Sequence, residues 1–70
     1  MIELNLKQIA IIEKYLNGQI SAFQTPVEDM ITFGEVIDKA EKLFQKTDED
    51  CGDDLIVWFY RKYKQNLSLN

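Results

Sequence analysis

The block Leu55-Ile56-Val57-Trp58-Phe59-Tyr60 is apolar or aromatic at every position, and it stands between the acidic run TDEDCGDD and the basic run RKYK. Taken alone, β-branched and aromatic residues in such a run read as a buried strand. A strand apolar on both faces, however, needs one layer above it and another below. A chain of 70 residues can hardly supply both, since it buries only about 60% of the surface it exposes when unfolded. As a helix over 54–66, the block agrees with its flanks. Asp53 or Asp54 caps the start, and Arg61, Lys62 and Lys64 lie toward the end that favours cations. Leu55, Ile56, Phe59, Tyr60 and Tyr63 then share one face. Val57 and Trp58 fall off that face and flank Arg61.

Two further helices are legible upstream. Asn5 is placed to cap a helix over 6–17, with Gln8 as the reciprocal acceptor of a capping box. Ile9, Ile12, Tyr15 and Leu16 form its apolar face, and Gly18 suits the left-handed position that ends it. Met1–Leu6 also alternates apolar and polar residues, a short strand pattern that overlaps this start. Next, TPVE and TFGE each carry a capping-box signal, with Thr25 and Thr32 as caps and Glu28 and Glu35 as partners. Helical phase favours the second as the start of the main helix. Phe33, Val36, Ile37, Ala40, Leu43 and Phe44 make one stripe, whereas extension backwards puts Asp29 on that stripe and Ile31 on the polar side. The pattern therefore predicts a short helical turn at 26–31 and a helix at 33–46, with Glu35–Lys39 and Asp38–Lys42 pairs on its outer face. The expected fold is all-α: a small three-helix bundle with that additional turn, forming a single helical domain over 1–70. Its core is expected from Ile9, Ile12, Leu16, Phe33, Val36, Ile37, Ala40, Leu43, Phe44, Leu55, Phe59 and Tyr63.

Several chemistries lack their residues. There is no His and only one Cys, Cys51, so an internal disulfide and a structural zinc site are both excluded. Aligning Gly52 with the obligatory glycine of a calcium loop puts Thr47, Glu49 and Cys51 at the first ligand positions and Trp58 at the last, which the template does not accept. The acidic loop reads instead as a solvated, helix-capping segment. No common base is available to activate a Ser or Cys nucleophile, and no phosphate-binding glycine motif occurs. Neither an enzyme nor a cofactor is expected. No apolar run approaches the length of a membrane span. The opening MIELNLKQIAII lacks the features of a secretory signal, and the lone thiol agrees with a cytoplasmic setting.

What remains is binding. Val57, Trp58 and Arg61 have the composition of a protein-interaction hot spot, so a small non-enzymatic interaction module is the leading expectation, with homo-oligomerisation as one route. Packing of the third helix on two sides would instead make Trp58 core. An acidic alternative follows from the net charge of −4. Glu28, Asp29, Glu35, Asp38, Glu41, Asp48, Glu49, Asp50, Asp53 and Asp54 could present carboxylates to a basic nucleic-acid-binding protein. Direct nucleic-acid binding through Arg61–Lys64 has less support, because no second basic segment accompanies it.

Overall fold

The computed structural model describes residues 2–20 and 24–68, and of Ser68 the backbone alone. Three helices make up the bundle: α1 (Leu6–Leu16), α2 (Val27–Gln45) and α3 (Leu55–Ser68). Local chemistry sets the ends of α1. The Asn5 side chain accepts the Gln8 amide at 2.8 Å while the Asn5 amide donates to Gln8 Oε1 at 3.1 Å, the reciprocal box expected. At the other end Gly18 takes φ +71°, and the amides of Gly18 and Gln19 close back onto the carbonyls of Tyr15 and Lys14.

α2 corrects the expected division at 31/32. It runs unbroken from Val27, and the Thr32 hydroxyl donates to the Glu28 carbonyl one turn back rather than capping a new start. The two residues whose phase argued against continuity are both accommodated. Asp29, on the inward stripe, pairs with Lys14 of α1 at 3.3 Å near the end of the bundle. Ile31 is left in solvent, 61% exposed. The Asp38–Lys42 pair forms at 2.9 Å, but Lys39 turns instead to the Glu3 carbonyl and Gln8 Oε1.

The apolar block is helical. Asp54 is its cap: one carboxylate oxygen accepts the amides of Ile56 and Val57, and its carbonyl accepts from Trp58. Ile56, Trp58 and Phe59 are all buried. Stepping about 100° per residue, these three span roughly 160° of the helix circumference, a wide arc that only contact on two sides can cover. α1 and α2 both pack on α3, and the Phe44 ring of α2 meets Trp58 edge-to-face at 5.6 Å between centroids.

The core comprises Ile11, Ile12, Val36, Ala40, Ile56, Trp58 and Phe59. Phe33, Ile37, Leu43, Phe44 and Leu55 pack around it as expected. Ile9 is only half-buried and Leu16 is exposed, because α1 turns Ile11 inward beside the expected Ile12; Tyr63 on α3 is also only half-buried. The alternation at the N-terminus has its own outcome. Among the described residues there is no strand, and Met1 lies outside them, yet Ile2 and Leu4 both lie against the core from the non-helical segment that leads into α1. Phe59→Ala should therefore cost about 3–5 kcal/mol, enough to unfold a domain this small, whereas Leu16→Ala should cost under about 1 kcal/mol. Thermal melts followed by circular dichroism distinguish the two.

Candidate functional site

The helical packing decides where each expected site residue lies. Trp58 is 5% exposed and belongs to the core. Val57 is half-buried, and Arg61 is exposed. A partner meeting this surface therefore finds no accessible indole, only Arg61 beside the half-buried Val57. The indole N–H is buried and has no hydrogen-bond partner among the described residues. Such an orphaned donor typically costs about 1–3 kcal/mol.

Two cations of the basic cluster are engaged within the chain, and Arg61 is exposed. Lys62 pairs with Glu49 of the loop, which holds the Glu49 carboxyl below its ordinary pKa, and Lys64 sits 4.8 Å above the Tyr60 ring. The acids are spread around the molecule. Asp50 accepts the Gly52 amide and Glu49 contacts Thr47, so part of the loop's polarity is spent on its own turns. Asp48 and Asp53 are exposed. Among the described residues, no group of three or more His, Cys, Asp or Glu side chains is gathered as a metal would require. None of the described helices is long and apolar enough to cross a membrane.

Two polar contacts tie the helices together. Gln8, 4% exposed, serves the α1 cap, accepts the Lys39 ammonium at 3.0 Å and approaches Glu35 at 3.5 Å. The Tyr15 hydroxyl donates to Asp54 Oδ2 at 2.7 Å, joining α1 to the α3 cap. That bond to Asp54, with some burial, raises the Tyr15 pKa. Burial pushes the Asp54 carboxyl up, but the Tyr15 hydroxyl and the amides of Val57 and Ile56 outweigh it and leave the pKa low.

The surface that sequence reasoning missed is on α2. Val27, Met30 and Ile31 are exposed to 74%, 42% and 61%. With Gly34 they occupy positions i, i+3, i+4 and i+7, one stripe on the side of α2 away from Val36 and Ala40. A Cβ added at Gly34 would meet nothing within 4 Å. Glycine inside a helix costs about 1 kcal/mol relative to alanine, and among the described residues no group outside α2 takes up the space it leaves. Glu28 and Glu35 lie along one edge of the stripe, and Asp38 and Glu41 close its C-terminal end. Its sequence signal was the out-of-phase Ile31.

Comparison with known proteins finds no matching family model, curated protein or solved structure.

Two predictions follow from this geometry. Trp58→Ala should collapse the fold, losing about 3–5 kcal/mol, while Trp58→Phe, which also removes the orphaned donor, should lose under about 2 kcal/mol; chemical unfolding monitored by circular dichroism reads both. The Tyr15–Asp54 bond should bound stability at both pH extremes. Asp54, with its pKa lowered, contributes fully above about pH 4, and that contribution is lost as pH falls through the folded value beneath it. Tyr15, with its pKa raised, contributes fully below about pH 10 and loses that contribution as pH rises through its higher folded value. Asp54→Asn keeps a capping oxygen, so urea midpoints across pH should show a flattened acid limb with only a modest change at neutrality.

Proposed function

We propose that this chain is a small, non-enzymatic protein–protein interaction module, and that α2 rather than α3 carries its contact surface. The observation behind this reading is the contiguous exposed stripe of Val27, Met30 and Ile31 beside Gly34. A domain with so little apolar material to bury gains nothing from leaving three apolar side chains in water. Apolar stripes of this kind mark contact surfaces in many soluble proteins. The lone Cys51 thiol supports a reducing, cytoplasmic setting.

The alternative, an acidic chain that occupies a nucleic-acid-binding protein by charge alone, draws less support. Asp54 is committed to the α3 cap, Glu49 to Lys62 and Asp38 to Lys42, so the carboxylates form no continuous phosphate-like array. Direct nucleic-acid binding through Arg61–Lys64 is weakened for the same reason.

A photo-crosslinking residue placed at Ile31 in the full chain, expressed in its native cell, should yield a discrete protein adduct. The same residue at Arg61 should yield none. Adducts from Arg61 alone would return the surface to α3, and their absence at both positions would remove the module reading.

A further inference from the structure

We infer that the outward face of α2 receives an amphipathic helix whose apolar stripe is flanked by Lys or Arg. This rests on the reading of α2 as the contact surface and adds the chemistry of its occupant. Shape and charge are the two grounds for it.

The shape is that of a helix seat. Val27 and Ile31 stand one turn apart, Met30 lies beside them, and Gly34 opens a dent one turn further on. Side chains spaced i, i+3, i+4 and i+7 match the ridges of another helix, and a residue without Cβ lets the opposing backbone or a large side chain come close. Among the described residues, nothing of this chain comes near the Gly34 position.

Charge selects the occupant. Glu28 and Glu35 border the stripe, and Asp38 and Glu41 follow it. On α2's outward side the opposing cations are Lys42, bound to Asp38, and Lys39, drawn away to Glu3 and Gln8. Across the groove on α1 lie Lys7 and Lys14, and Lys14 is paired with Asp29. Asp38–Lys42 and Lys14–Asp29 cancel in pairs, so the charges left along the rim are Glu28, Glu35 and Glu41 against Lys7, a surplus of carboxylates. A second copy would bring the same acidic rim against this one, with a net charge of −4 on each chain. Three exposed apolar residues also fall well short of the roughly 800 Å² per partner that a standard stable interface buries. A helix with basic flanks meets both conditions, because its cations add attraction where apolar area alone is insufficient.

The test uses the isotope-labelled full chain and three synthetic amphipathic peptides that share one leucine stripe and differ only in flanking Lys, Gln or Glu. The Lys-flanked peptide should shift the amide resonances of Val27 through Asp38, with affinity falling about tenfold between about 0.05 M and 0.5 M salt. The Glu-flanked peptide should leave them unmoved. Gly34→Leu should raise the melting temperature of the free chain while weakening the Lys peptide about tenfold, opposite signs that a merely structural role would not give. Equal binding of all three peptides on α2 overturns the charge inference and leaves the contact surface standing. Shifts elsewhere, or none, remove both. Concentration-dependent shifts of the α2 face without peptide would make the occupant a second copy and overturn the inference.

Discussion

The fold turns on one condition: the aromatic block of α3 has to be covered from two sides at once. Ile56, Trp58 and Phe59 occupy too wide an arc for a single neighbour, so α1 and α2 must both reach them. The remaining arrangement accommodates that demand. Asp54 starts α3 at the place where the Tyr15 hydroxyl can hold it, and Phe44 supplies the edge-to-face contact that shields the indole. The segment before α1 that carries Ile2 and Leu4 closes another side of the core, anchored through its Glu3 carbonyl by Lys39. With so few fully buried side chains, directional polar contacts such as these carry a larger share of the specification than they would in a bigger domain.

Much of this was readable from the sequence, and the failures have physical causes. The all-α class, the three helices, the Asn5–Gln8 box and the Gly18 terminus all emerge from capping chemistry and periodicity, which are local. The core was less legible because periodicity gives a helix's apolar face without saying how many neighbours it will have. That number placed Trp58 inside rather than on a partner surface. On α1 the choice between Leu16 and Ile11 depended on a rotation that only the docked helices set. Gln8 was visible as a cap, but its burial and its links to Glu35 and Lys39 are tertiary facts.

The most instructive difference lies in α2. Asp29 and Ile31, each on the wrong side of the helix for a single amphipathic stripe, suggested a boundary. The chain resolves them separately, Asp29 by an ion pair at the margin of the bundle and Ile31 by exposure. A phase conflict can thus record a second surface as readily as the end of an element, and the two differ in what surrounds the offending residue. Here Val27, Met30 and Gly34 surround Ile31 on the same outward stripe. The carboxylates are a related case: they can be counted in the sequence, but several are consumed by caps, turns and lysines within the chain.

The position of Trp58 also separates two signals that are usually entangled. It is the chain's one tryptophan, its ring nitrogen is buried with no polar partner among the described residues, and it lies against the C-terminal half of α2 through Phe44. Its emission is accordingly a chromophoric gauge of core integrity. The stripe from Val27 to Gly34 occupies the opposite half and outer side of the same helix and carries no aromatic ring. An optical change at the indole therefore registers loosening of the bundle, and events confined to the outer side of α2 leave its emission unchanged.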